Sequence, residues 1–158
     1  GIKKASFDVV TSHNSFQYAL NPIATLQHWW KLTNINGMLI LQVPSTTNIK
    51  YNRSDISNQN NEFYHYTLVN LIHMLAMSGW DCKNGLFTKG MRDPWIKCVV
   101  YKGKVKPQDP RTTTWRDLAE LDLLPKSAVE SIDRWGHVKQ QDLVLNWLGG
   151  TVEAYNNH

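Results

Sequence analysis

The chain has 158 residues, 42% hydrophobic and 19% charged, with 17 basic against 13 acidic side chains and a net charge of +4. A chain of this size supports one domain that buries roughly 70% of its unfolded surface. Its longest basic run, Lys102-Gly103-Lys104-Val105-Lys106, is too short and mixed to argue for a nucleic-acid stripe, and no stretch reaches the roughly 18 apolar residues of a membrane span.

Phe7-Asp8-Val9-Val10 reads as a first strand that ends in a polar turn, Thr11-Ser12-His13-Asn14. A helix follows over 21–34. Asn21 suits its N-cap and Pro22 its first position. Ile23, Leu26 and Trp30 fall at helical spacing and are expected to face the sheet, with Trp29 pointing elsewhere. Asn36-Gly37 is expected to stop the helix. Gly37 to Pro44 is apolar almost throughout, which predicts a strand buried on both faces. Strand, helix and strand of this length make a right-handed βαβ unit. Ligands bind such sheets at the carboxyl ends of their strands, so Thr11 to Asn14 and the loop after Pro44 form the candidate binding edge.

Pro44 to Tyr64 is a long, polar, aperiodic stretch of the kind that often carries function. Tyr66 to Ser78 reads as a second helix capped by Thr67 and ended by Gly79. His65-Tyr66 stands just before its first turn, where a histidine can meet a substrate or an anion. Trp80 to Phe87 and Trp95 to Tyr101 are expected to pair as an antiparallel hairpin. Lys104 to Thr113 reads as a linker. Three short helices are expected beyond it. The first two open on capping boxes, Thr114 to Asp117 and Ser127 to Glu130, and the third covers Val138 to Leu148. The expected organisation is therefore an α/β domain over 1–103, a linker over 104–113 and a helical extension over 114–158.

Cys82 and Cys98 have no paired spacing and give no zinc signal. Both fall in apolar strand-like segments, which predicts buried free thiols and a reducing compartment. With no signal-like stretch ahead of Phe7, the expected location is cytoplasmic. The six histidines form neither H-x-x-x-H nor H-E-x-x-H, so no metal site is expected. There is no G-x-S-x-G elbow and no P-loop.

One family resemblance rests on particular residues. They are Phe7-Asp8-Val9-Val10, Thr11-Ser12-His13-Asn14, Phe16-Gln17-Tyr18, Asn21-Pro22, Trp29-Trp30, Gly37 and Val43-Pro44, in that order and spacing. Together they resemble the second half of a class I S-adenosylmethionine (SAM)-dependent methyltransferase of the small-molecule methyltransferase-domain type. The departure is Gln17-Tyr18, where many relatives carry Glu-His. The resemblance covers about residues 7–102. It implies a partial Rossmann-like sheet whose strands correspond to the fourth to seventh of that fold, with the last pair antiparallel.

The same resemblance implies SAM as cofactor and Thr11, Ser12, His13 and Asn14 as residues that hold it. Asn48, His65 and Tyr66 become candidate substrate-binding residues, and His13, His65 and Tyr66 candidate catalytic ones. The methyl acceptor stays open among small molecules, sugars and peptides. No G-x-G motif stands anywhere in this sequence, whereas the family holds its cofactor with a Gly-rich loop in its first half. The chain is therefore expected to be inactive alone. The first strand is expected to be an exposed edge and to favour a homodimer through Phe7–Thr11 or through exposed tryptophans. A non-catalytic α/β interaction module is the other open reading.

Overall fold

The structure, a computed structural model, describes residues 4–45, 66–89 and 95–146. Four strands form one sheet: β1 (Phe7–His13), β2 (Thr33–Pro44), β3 (Trp80–Lys89) and β4 (Trp95–Lys102). Their order is β1-β2-β4-β3. β1 and β2 are parallel, and β4 runs antiparallel to both β2 and β3. The expected antiparallel pair is present, and β4 inserts between β2 and β3. The architecture is a mixed α/β sheet flanked by helices, as the sequence implied.

Helix α1 (Pro22–Leu32) connects β1 to β2 and begins as expected, with the Asn21 side chain accepting from the Ala24 amide at 3.0 Å. It ends two residues earlier than expected. Thr33 already pairs with Phe7 in the sheet, so Asn36-Gly37 lies inside β2 rather than at a helix stop. The reason is distant in sequence. Lys102 Nζ donates to the carbonyls of Trp30 at 2.8 Å and Thr33 at 2.7 Å, and the Thr33 hydroxyl donates to Trp29 O. These bonds satisfy the carbonyls that a helix C-terminus leaves open. Within β2, Gly37 is required by close approach. A Cβ there would stand 2.8 Å from the Asn34 carbonyl and 2.9 Å from that of Asp8.

Helix α2 (Leu68–Met77) opens on a reciprocal capping box between Thr67 and Asn70. Leu71, Ile72, Leu75 and Ala76 are fully buried and meet Leu26, Leu39, Leu41, Val43, Phe87, Ile96 and Val100 in one core. Trp80 is fully enclosed as well, its indole N–H donating to Leu26 O at 3.1 Å.

One sequence expectation fails here. β2 is buried on one face only. Leu39, Leu41 and Val43 are covered, whereas Met38 and Gln42 are half-buried and Ile40 is 40% exposed. Pairing places Val9, Thr11, Val99 and Leu86 on the same open face. Apolar composition reported a sheet interior, but the helices α1 and α2 cover just one side of it.

After β4 the chain joins the same core through Trp115, Leu118, Leu123, Leu124, Ala128, Val138, Leu143 and Leu145. Helix α3 (Trp115–Glu120) carries the expected box between Thr114 and Asp117. Helix α4 (Lys126–Glu130) does not use Ser127 as a cap. The Ser127 hydroxyl instead donates to Val144 O and accepts from Val144 N. The third expected helix is absent from its described part. A single 3-10 turn, Gln140–Asp142, is followed by extended chain in which Leu143 and Leu145 are buried and Val144 is exposed. That alternation lays the segment along β3. Leu123 O accepts from Cys82 N and Asn146 O from Phe87 N, so the tail covers the β3 edge. β1, at the other end of the sheet, carries no further strand among the described residues.

Candidate functional site

The carboxyl ends of β1 and β2 come together with the turn after β1. β1 extends further than expected. Thr11, Ser12 and His13 are strand residues, paired with Ile40, Leu41 and Gln42, and only Asn14 belongs to the turn. The strand persists because parallel pairing with β2 continues to its last residue, and Asn14 N still donates to Gln42 O at 3.0 Å. Asn14 adopts a φ of +54°, a left-handed conformation that asparagine tolerates better than most residues.

Alternation along β1 divides the four residues expected to hold the cofactor. Ser12 points to the covered face and is buried, its hydroxyl 3.0 Å from that of Ser15. Thr11 and His13 lie on the open side and are exposed. They do not form one wall with Ser12. Among the described residues the His13 side chain makes no hydrogen bond and no ion pair with a carboxylate that could orient it, which a general base usually needs.

Phe16, Gln17 and Tyr18 form a 3-10 turn behind this edge. Phe16 is buried and stacks on Tyr66 with ring centroids 5.2 Å apart, and tilts against Trp29 at 5.7 Å. Tyr66 is thus brought to the site, where its backbone also bridges Ser45 at the end of β2. Asn48 and His65, the other two candidates, lie outside the described residues.

The sequence reading missed the part played by Gln17. Its amide nitrogen donates to Asn14 Oδ1 at 2.7 Å and to Asn14 O at 3.2 Å, locking the turn. Its amide oxygen is buried and accepts nothing from the described residues. A buried acceptor left open is costly. Flanking aromatics were the available signal, because an amide between Phe16 and Tyr18 is held close to apolar surface.

The described residues fit only part of SAM. Ser12, Asn14 and Gln17 offer hydroxyl and amide groups beside an aromatic floor of Phe16 and Tyr66. Nothing among them supplies the close backbone approach of a glycine loop. No cluster of three or more metal-ligating side chains occurs among the described residues, and no described helix is long and apolar enough to cross a membrane. Both cysteines are free and buried. Burial pushes the Cys98 thiol up to about 12, against a small opposing effect of a backbone hydrogen bond at Leu41, and raises Cys82 well above the ordinary range.

No protein-family model and no curated protein matches this chain. Solved structures do. Phosphoethanolamine N-methyltransferase 2 of Haemonchus contortus, solved with phosphomonomethylethanolamine and S-adenosylhomocysteine, superposes with a TM-score of 0.55 at 10% identity, over 66% of this chain and 35% of that one. The CurJ carbon methyltransferase gives 0.51 at 13%, over 65% and 31%. A SAM-dependent methyltransferase from Thermotoga maritima gives 0.50 at 13%, over 64% and 58%. At such identities the likeness is one of fold. The chain has a class I methyltransferase-like fold and spans between about a third and somewhat over half of these proteins' length.

Proposed function

We propose that this chain forms the acceptor-side part of a SAM-dependent methyltransferase acting on a small molecule, a sugar or a peptide. The observation that carries this reading is the sheet itself. Its order is β1-β2-β4-β3 with only β4 reversed, in a chain that superposes on a methyltransferase over 66% of its length. Its polar residues Ser12, Asn14 and Gln17 gather at the carboxyl ends of the two parallel strands. In this reading the cofactor-binding polypeptide pairs along β1 and covers the open face around Val9, Met38 and Ile40. The chain contributes one wall of the cofactor site and is inactive by itself. Tyr66 and His13 remain the described candidates to contact the acceptor in this reading.

Amide NMR shifts recorded while S-adenosylhomocysteine is titrated test this. The expected result is a weak, saturable perturbation confined to Ser12 through Gln17 and Tyr66, with a Kd on the order of 1 mM or weaker. No perturbation in that range, or perturbations centred elsewhere, would refute the assignment.

The β1 edge, unpaired among the described residues, favours a second reading, a non-catalytic module that pairs with a second copy of itself. Phe7 is 42% and Val9 45% exposed along that edge, and Trp135 is 69% exposed on the tail. Sedimentation velocity decides it. A dimer that Val9→Lys converts to monomer supports self-pairing, and a monomer at high micromolar concentration excludes it.

A further inference from the structure

The opposite end of the sheet carries a second concavity, an open cavity of about 690 Å3 where α1 ends and β1 begins. Counting strand rise from Gly37 to Ser45, it lies about 25 Å from the carboxyl-end edge. Lys4, Lys31, Lys102 and Lys106 line it, together with the amides of Gln27 and Gln108. One carboxylate, Asp109, is present, but it is already engaged by Nε and Nη2 of Arg111 and held below its usual range by those bonds. Four lysines against one carboxylate, itself paired with Arg111, leave the lining net positive.

The four lysines differ in role. Lys102 is buried, clamped between two carbonyls, with its ammonium 3.9 Å above the Trp30 ring. It neutralises the partial negative charge of the α1 C-terminus, which would otherwise repel an anion from this end. Lys4, Lys31 and Lys106 are exposed and make no ion pair among the described residues. Their backbones are fixed: Ala5 N donates to Lys31 O at 2.7 Å and Gln108 N to Met77 O at 2.8 Å. Flexible ammonium groups thus rise from three anchored segments around one cavity. Its volume falls in the range of small-molecule sites.

We propose that this cavity binds a small phosphorylated anion carrying at least two negative charges, at a site separate from the carboxyl-end edge. The proposal does not rest on the methyltransferase reading. Lys31 and Lys106 supply point charges to the phosphates and Gln27 an amide donor, while Lys102 offsets the negative helix end beneath them.

Isothermal titration of the chain with inorganic pyrophosphate, in about 0.15 M salt so that diffuse surface attraction is screened, tests it. Saturable binding with a Kd near or below about 1 mM is expected. The Lys31→Glu, Lys106→Glu double variant should weaken it at least tenfold, on the order of one decade per 1.4 kcal/mol. Lys139→Glu, exposed and outside the cavity, should not. A parallel titration with a nucleoside diphosphate distinguishes the source. Tighter binding points to the phosphate end of a phosphorylated metabolite, equal binding to an oligophosphate. Absence of saturation overturns the proposal, as does weakening by the double variant no greater than that by Lys139→Glu. Circular dichroism of both variants checks that the fold is retained.

Discussion

Lys102→Met removes the ammonium that ends α1 while keeping most of the buried stem. Lys102 Nζ donates at 2.8 and 2.7 Å to two carbonyls and lies over an indole face. Hydrogen bonds to a charged partner contribute about 1.5–3 kcal/mol each, net of water. The cation–π contact adds about 1 kcal/mol. Against this stands the cost of desolvating the ammonium of the buried Lys102, which also lowers its pKa below that of a solvated lysine. Because the cavity beside it is open, water can reach part of the site, which reduces both the desolvation cost and the penalty of uncovering the carbonyls. The balance favours a loss of about 2–4 kcal/mol. At about 2–4 °C per kcal/mol for a chain of this length, the thermal midpoint should fall by about 4–16 °C. Urea denaturation followed by tryptophan fluorescence gives the free energy directly. A loss below about 0.5 kcal/mol would refute the reasoning, because it would mean that desolvation cancels the pair of bonds.

Other perturbations probe separate parts of the structure. Gly79 has φ +94°, and a Cβ there would stand 2.9 Å from Trp30 Nε1 and 3.0 Å from Val105 O. Gly79→Ala should therefore cost about 2–4 kcal/mol in urea denaturation, from backbone strain and displacement of the indole together. Cys82 and Cys98 should resist a thiol-specific chromogenic reagent in the native state at pH 8 and react stoichiometrically after denaturation; fast native labelling would contradict their burial. His73 is packed 4.7 Å from Trp115, and burial lowers its pKa from 6.5. The unfolded chain then binds the proton more readily, so the neutral form's stability is kept above pH 6.5 and lost as pH falls below it. The denaturation midpoint should drop between pH 7.5 and 5.5, and His73→Gln should flatten that drop; an unchanged slope in the variant would exclude this histidine as its source. Gln17→Leu removes the amide that locks Asn14 and should cost about 1–3 kcal/mol, unless loss of the open acceptor compensates, a result that denaturation would show as near-zero change.

How far the sequence could be read depended on where each controlling residue lies. The start of α1 is legible because Asn21 and Pro22 act on their own neighbours, and the Thr67 and Thr114 caps are legible for the same reason. The end of α1 is not, since it is set by Lys102, about seventy residues away. Burial of β2 on one face was misread because Met38 and Ile40 are apolar whether or not a helix covers them. The segment at Leu143 looked helical by composition, yet the Cys82 and Phe87 amides offered an edge to lie against. At the site, Ser12 to Asn14 could be located from a polar strand end alone. The Phe16–Tyr66 stack joins residues fifty positions apart and has no local signature.

The two edges of the sheet receive opposite treatment, and this bears on both readings of function. An uncovered strand edge invites pairing with any available backbone, so folded proteins generally protect it. The tail does so at β3 with two backbone hydrogen bonds, and with Leu123, Leu143 and Leu145 packed into the core. Nothing comparable lies along β1 among the described residues, although β1 is seven residues long and parallel-paired on its inner side. Its devices against pairing are weak: one acidic residue, Asp8, whose carboxylate is bonded to Asn34, and no proline or lysine within the strand. The open face beside it continues the same apolar surface through Val9, Ile40 and Val99. An edge and a face that the described residues leave uncovered on the same side, adjoining the carboxyl ends of β1 and β2, would suit a strand-bearing partner. Under the methyltransferase reading that partner completes the cofactor site against Ser12, Asn14 and Gln17. Under the self-pairing reading it is another β1. Val9→Lys disfavours both, whereas Gln17→Leu should affect only the former, so the two substitutions in parallel separate assembly from ligand binding.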